Sequence, residues 1–199
     1  MEKIKKYLEE FGYSIDADWK LFQTKIVKVQ FPKKHILLKK GEVEQYIHFL
    51  ESGIVKYGIP MDNYDSTFNI IFENSFFSAY DSYLTRLPCL YNVVAVTDLS
   101  LWRISYDDMN LIYENTQLGD RIGRKISEAL YVKKVRREIS LLADSATKRY
   151  LDLFEEQPEL ALKIPLKDLA SYIGIRPQSL SRIRKELLKS HVESFGINI

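Results

Sequence analysis

The chain has 199 residues, 29 Lys+Arg against 27 Asp+Glu, 46% hydrophobic residues, 8 Gly and 6 Pro; this is the composition of a globular protein and excludes collagen-like, low-complexity and wholly disordered classes. At ~100–200 residues per domain it allows one large domain or two small ones, and no apolar run approaches the ~20 residues of a membrane helix. The opening MEKIKKYLEEFGY has no apolar stretch of a secretory signal. One cysteine, Cys89, excludes an internal disulfide, a Cys-based zinc site and an iron–sulfur cluster, so a cytoplasmic location is expected. The near-neutral total hides a gradient. Residues 1–120 carry 13 Lys/Arg against 17 Asp/Glu, residues 121–199 carry 16 against 10, and 20 of the 25 aromatics precede residue 114. An acidic, aromatic-rich body followed by a basic segment suggests two domains and a polyanionic partner for the second.

Residues 2–10 and 16–26 read as short helices, with Asp16 as an N-cap. From 27 to 104 the period changes to two: Val27, Val29 and Phe31, then Ile36 and Leu38, Tyr46, His48 and Leu50, Val55, Tyr57 and Ile59, Phe68, Ile70 and Phe72, Val94 and Val96, and Leu99 and Leu101. Turn residues fall between these runs, Ser52-Gly53 being the clearest hairpin. About eight short strands of this kind predict a β-sandwich or barrel.

Beyond residue 106 the strand pattern stops. Leu118, Ile122, Ile126 and Leu130 recur every four residues, widened by Ala129, Val132, Val135 and Ile139, as in one long amphipathic helix. Gly119 and Gly123 interrupt it, at a cost of roughly 1 kcal/mol each relative to Ala if exposed. The stripe is covered either within the chain or by a second copy of the same helix in a C₂ homodimer, where the glycines would allow close approach. Asp144-Ser145 then offers an N-cap for a helix over 146–156.

The segment IPLKDLASYIGIRPQSLSRIRKELLK, 164–189, carries the functional signal. A helix over 166–173 buries Leu169, Ala170 and Ile173; Gly174 supplies a left-handed turn; Pro177 opens a second helix that buries Leu180, Ile183 and Leu187. This spacing is that of a helix-turn-helix. The second helix presents Gln178, Ser179, Ser181, Arg182 and Lys185, with Arg176 just before it. Arg can bond guanine and Gln adenine with two hydrogen bonds each in the major groove, while Ser and Lys hold phosphates and fix register. A solvated helix face is the alternative. The ending Phe195-Gly196-Ile197-Asn198-Ile199 alternates as the last strand of a small β-wing would.

With these residues in view, the chain resembles the bacterial Crp/Fnr family of transcription regulators from end to end. LLKKGEVEQYIHFLESGIVKYG resembles its first sensor strands, LADSATKRYLDLF its hinge and following helix with Asp144 at the hinge, and DLASYIGIRPQSLSRIRKEL its helix-turn-helix. The resemblance implies an α+β fold: an N-terminal jelly-roll sensor-like domain (1–105), a long dimerisation helix region (106–143) and a C-terminal winged helix-turn-helix (144–199). It implies a homodimer that binds double-stranded DNA and works with RNA polymerase, with Arg182 in the place of a base-reading arginine. Pro177 and Gln178 replace an arginine and a glutamate that read bases in cyclic-AMP-binding members.

The sensor departs from the pattern. Nucleotide-binding members carry Gly-Glu for the ribose and, about ten residues on, Arg-Ser or Arg-Thr for the phosphate; here Ser78-Ala79 and Leu90-Tyr91 stand in those places. Burying a phosphate without a cation is costly, so cyclic AMP is not expected in the usual mode. Arg86 is a candidate replacement cation. Phe72, Phe77, Ser78, Tyr80, Arg86, Leu90 and Tyr91 are the candidate lining of a pocket for an unknown small molecule, against the alternative that such aromatics fill the core. A third reading makes the barrel only a dimer scaffold. No cofactor and no catalytic or metal residues are expected: His35, His48 and His191 are scattered, and neither a cupin-type ligand set nor a G-x-S-x-G elbow is present.

Overall fold

The computed structural model describes residues 1–9, 16–62 and 65–194. Two helices, α1 (Glu2–Glu9) and α2 (Asp16–Lys25), precede eight strands: β1 (Val27–Phe31), β2 (Ile36–Leu38), β3 (Tyr46–Ser52), β4 (Ile54–Pro60), β5 (Asp65–Phe72), β6 (Ser75–Phe77), β7 (Asn92–Ala95) and β8 (Leu99–Ser105). They form two four-stranded antiparallel sheets, ordered β1-β8-β3-β6 and β2-β7-β4-β5. The alternating runs predict a β-sandwich or barrel, and the two packed sheets are the jelly roll that the family resemblance implies. The short helix α3 (Tyr80–Thr85) lies between β6 and β7, and was not evident from the sequence pattern.

The sheets are covered on both sides, which explains why β3 is buried along nearly all its length. Leu50, Val55, Tyr57, Ile71, Phe77, Val93 and Leu101 fill the space between the sheets. Ile47, Phe49, Phe76 and Ile104 face outward and are covered by Ile4 of α1 and Trp19 and Phe22 of α2. The opposite outer face, Ile54, Ile70 and Val96, is covered by the C-terminal helices.

After β8 come α4 (Tyr106–Asn115) and α5 (Gln117–Ala143). The sequence pattern registers only the second. Ser105 caps α4 by accepting from the Asp108 amide at 3.1 Å, and Thr116 starts α5 by accepting from the Gly119 amide at 2.9 Å. Ile122 and Ile126 are buried against the barrel with Leu130 beside them; the Leu118 side chain lies outside the described residues. Further along, Val132, Ile139 and Leu142 are exposed, Leu142 at 84%. The first half of the stripe is therefore covered within the chain and the second half is not.

The glycines of α5 do not act as a solvent-exposed weak point. A Cβ on Gly119 would come within 2.7 Å of the Ile112 carbonyl oxygen, and one on Gly123 within 2.8 Å of the Tyr113 ring. They allow α5 to lie on α4, so their close approach is intramolecular. The remaining helices are α6 (Ala146–Glu156), α7 (Pro158–Ala161), α8 (Leu166–Tyr172) and α9 (Pro177–Ser194). Among the described residues no helix is long and apolar enough to cross a membrane. Asp16 is the first residue of α2, but its side chain, that of His191 and the expected 195–199 wing strand fall outside what is described. Replacing Gly119 by Ala should lower stability by ~1–3 kcal/mol in urea unfolding, despite a gain of ~1 kcal/mol in helix propensity; a stabilised variant would mean that α5 does not rest on α4.

Candidate nucleic-acid interface and barrel interior

Helices α8 and α9 build the exposed polar face. Leu169, Ala170, Ile173 and Leu180 are completely buried and hold the two helices together with Leu153 and Ile164. The turn between them is a Schellman arrangement: the Ile175 amide donates to the Ala170 carbonyl and the Gly174 amide to the Ser171 carbonyl, each at 3.0 Å. Gly174 has φ +78°, a conformation that a Cβ disfavours. Pro177 opens α9, where its missing N–H costs nothing.

Gln178, Ser179, Ser181, Arg182 and Lys185 are all exposed on α9, and Arg176 is exposed at its entrance. The structure brings these six residues together as the sequence spacing suggested. Ser181 donates to the Pro177 carbonyl at 3.1 Å, so its hydroxyl is partly occupied within the helix. Arg184, on the adjoining face, is half-buried and lies over the Tyr150 ring at 5.6 Å. Ile183 and Leu187, expected as buried, are only half-covered.

Asp144 stands at the junction expected for a hinge, but Ser145 makes the N-cap, accepting from the Lys148 amide at 3.1 Å. Asp144 ends α5 instead, its amide donating to the Ser140 carbonyl. Arg149 spans this junction. Its Nε donates to the Ile173 carbonyl at 2.8 Å, and its Nη1 to the carbonyls of Ser140, at 3.3 Å, and of Asp144. Arg137 of α5 donates to the Tyr172 carbonyl and stacks 3.9 Å from the Tyr172 ring centre. Two guanidinium groups thus satisfy carbonyls at the end of α8, where the helix dipole also favours cations. Neither arginine was evident as functional from sequence, because each reads as surface charge on a helix.

The candidate effector residues do not converge on one pocket. Phe77 lies in the barrel interior, stacked on His48 at 4.8 Å. Ser78 is buried, donating to the Tyr46 carbonyl and accepting at its own carbonyl from the Tyr57 hydroxyl, both at 2.9 Å. Tyr91 stacks on Tyr57 at 5.5 Å and donates to the Asp81 carboxylate. Leu90, 70% exposed, and Tyr91 line an open depression of about 440 Å³ with Lys40, Ile59, Phe68 and Asp81. Phe72 instead packs toward the helix-turn-helix, and Tyr80 packs on the long-helix side, bonded to the Ser127 hydroxyl at 2.8 Å. Strand alternation is the reason for Phe72: its neighbour Ile71 faces the interior, so Phe72 faces out.

Arg86 is not a free anion partner. It has φ 58° at the end of α3, its Nη1 donates to the carbonyls of Glu44 at 2.7 Å and Tyr83 at 3.2 Å, and its Nη2 to Gln45 Oε1 at 2.5 Å. The guanidinium also lies 4.0 Å from the Tyr106 ring centre. The barrel also buries an acidic group. Glu44 is buried; its carboxylate accepts from the amides of Gln45 and Tyr46 at 3.0 Å and Ala79 at 3.3 Å, with His48 Nε2 at 3.6 Å. Burial pushes its pKa up, but His48 and the backbone donors outweigh this and hold it below the ordinary carboxylate value. Cys89 is buried, and burial raises its thiol pKa, the direction of an inert thiol.

Residues 28–116 match the model of the cyclic nucleotide-binding domain. No curated protein matches the sequence. Among solved structures, FixK2 from Bradyrhizobium japonicum superposes with a TM-score of 0.72 at 14% identity, covering 84% of this chain and 86% of that one. The c-di-GMP responsive global regulator CLP from Xanthomonas campestris gives a TM-score of 0.68 at 16% identity, covering 89% and 93%. A structure assigned to the crp/fnr family, from Eubacterium rectale, gives 0.68 at 15% identity, covering 92% and 87%. Arg86→Met should destabilise the protein by about 1–3 kcal/mol in chemical denaturation, because two carbonyls lose a charged donor; an unchanged midpoint would refute the structural role. Residues 28–116 thus match the cyclic nucleotide-binding domain in sequence, within a chain that shares over most of its length the fold of solved structures such as the crp/fnr-family regulator from Eubacterium rectale.

Proposed function

We propose that this protein is a homodimeric, sequence-specific DNA-binding transcription regulator that acts in the cytoplasm, with double-stranded DNA, a second copy of itself and RNA polymerase as partners. The observation that carries this reading is the division of α9: Leu180 is fully buried while Gln178, Ser179, Arg182 and Lys185 are exposed on the opposite side. A helix seated in this way fits the major groove, with Arg182 and Gln178 reading base edges and Arg176, Ser179, Ser181 and Lys185 holding phosphates. Two such heads would read half-sites ~34–36 Å apart. The exposed Val132, Ile139 and Leu142 of α5 support a parallel pairing of two copies. The division into a barrel over 1–105, a helix region over 106–143 and a DNA-binding part over 144–199, with Asp144 as hinge, belongs to the same proposal.

Cyclic AMP is not the effector in the usual mode. The interior is filled by Tyr57, Phe77 and Tyr91, and Glu44 supplies a negative charge where a phosphate would need a positive one. An unknown small molecule is left as the effector, Leu90 and Tyr91 with Phe68 and Ile59 forming the apolar surface open to it. A barrel that serves only as scaffold is the second reading, favoured by the same filled interior.

Selection from a random DNA pool should enrich one inverted-repeat motif; failure to enrich any motif overturns the proposal. On the selected site Arg182→Ala should weaken binding by ~1–3 kcal/mol and relax one base preference, whereas Lys185→Ala should weaken binding to all sequences and flatten the salt dependence. Ile139→Glu should shift the protein to monomers in sedimentation analysis. Calorimetric titration should give no cyclic AMP binding in the micromolar range, and a reproducible thermal shift with one compound of a metabolite panel would favour a sensor over a scaffold.

A further inference from the structure

Helix α8 touches the barrel through a polar contact that no part of the proposed DNA reading uses. Asp168, 7% exposed, lies on α8 against β4 and β5. Its Oδ1 accepts from Lys56 Nζ at 2.6 Å and from the Thr67 hydroxyl at 3.1 Å. One turn on, the Ser171 hydroxyl donates to the Thr67 carbonyl at 3.1 Å. Around this contact Ile54, Ile70 and Val96 of the barrel share one apolar cluster with Leu169, Ala170 and Ile173 of α8.

The strand is shaped for it. Tyr57 pairs with Asn69 and Gly58 with Thr67, so Phe68 is an extra residue in β5. Ile70 packs toward α8, and strict alternation would turn Phe68 the same way and Thr67 away. The extra residue reverses this order. Thr67 reaches Asp168, while the Phe68 ring meets Tyr91 at 4.9 Å at the open depression. Adjacent residues of one strand therefore touch the reading head and the aromatic stack.

We propose that Lys56, Thr67 and Asp168 are positioning residues: they latch the helix-turn-helix onto its own barrel and so fix the direction in which α9 meets DNA. The inference rests on the DNA-binding reading above. The latch leaves the reading face uncovered, since Gln178, Arg182 and Lys185 stay exposed with α8 docked, so the docked head is the DNA-competent one. A buried ion pair is a directional contact that holds only when its partners meet, and removing one partner leaves the other buried without compensation. An apolar pair of similar volume can restore the packing.

The test uses the full-length protein with Lys56→Met, Asp168→Asn and the double variant Lys56→Met/Asp168→Leu. Hydrogen exchange without DNA reads the latch itself. The single variants should lose protection across 166–172 by roughly tenfold or more, and the double variant should regain most of it. Binding is then measured on the selected operator and on operators with one base pair added to or removed from the spacer, which turns one half-site by about 35°. The single variants should bind the selected operator roughly tenfold more weakly and lose most of their discrimination against the altered spacers; the double variant should recover both. Lost protection with full spacer discrimination would overturn positioning and leave only a stabilising contact. Unchanged protection would refute the latch, and tighter binding by the single variants would refute the docked head as the competent one. If pool selection yields no operator, the DNA-binding reading has failed and this proposal with it, while the exchange measurement still reports separately whether the contact holds α8.

Discussion

A helix of seven residues has too few internal hydrogen bonds to persist alone in water. Helix α8 is of that length, and it exists because it is enclosed. Its apolar side closes over Ile54, Ile70 and Val96 of the barrel and Leu180 of α9. Its last carbonyls are taken by Arg137 and Arg149, and its first turn holds Asp168 against Lys56. The turn at Gly174, the start of α9 at Pro177 and the outward direction of the polar face all follow from that enclosure. The burial of Leu169 and Leu180 counts twice, because the same side chains that form the helix pair also seat it on the sheet.

The barrel shows the complementary constraint. A jelly roll that takes an anionic ligand needs empty space and a cation. Here Tyr57 and Phe77 fill the interior, Tyr91 stacks on Tyr57 and meets Phe68 at the open depression, and the Tyr57 hydroxyl is satisfied by the Ser78 carbonyl. The candidate arginine, Arg86, is committed to two carbonyls, a Gln side chain and the Tyr106 ring. The buried charge is Glu44, which ties residues 44–46 to Ala79 at the start of α3. A carboxylate in this place orders the loops by accepting backbone N–H groups, and its field opposes a phosphate.

The sequence made some of this legible and hid the rest for physical reasons. The strands could be read because alternation survives wherever one face is buried against the other sheet. The helix-turn-helix could be read because Gly174 and the run Leu169, Ala170, Ile173, Leu180 are constrained by one local geometry. Helix α4 escaped because only Met109 and Ile112 of it are buried, and its N-cap at Ser105 directly follows a strand. The candidate pocket residues point in different directions because closeness in sequence does not give direction: Phe77 faces the space between the sheets, Phe72 faces out toward the C-terminal helices, and Tyr80 turns toward α5. Asp168 lies in the first turn of α8, a place where acids suit the helix dipole anyway, so nothing local marks it as a partner for Lys56, 112 residues away.

The long helix α5 connects these parts through unlike halves. Its first half is fixed to the barrel by Ile122 and Ile126 and held close to α4 by Gly119 and Gly123. Its second half carries the uncovered Val132, Ile139 and Leu142, and ends beside α8, where Arg149 ties the Ser140 carbonyl to the Ile173 carbonyl. The end of α5 and the end of α8 therefore share one guanidinium and cannot shift independently. The barrel grips α8 at Asp168, and the long helix grips it at Tyr172 and Ile173. A change that moved the barrel relative to α5 would pull these two attachments in different directions, and the short helix between them would have to give up one. The short helix α8, which leads through the Gly174 turn into α9, is the element that both attachments share.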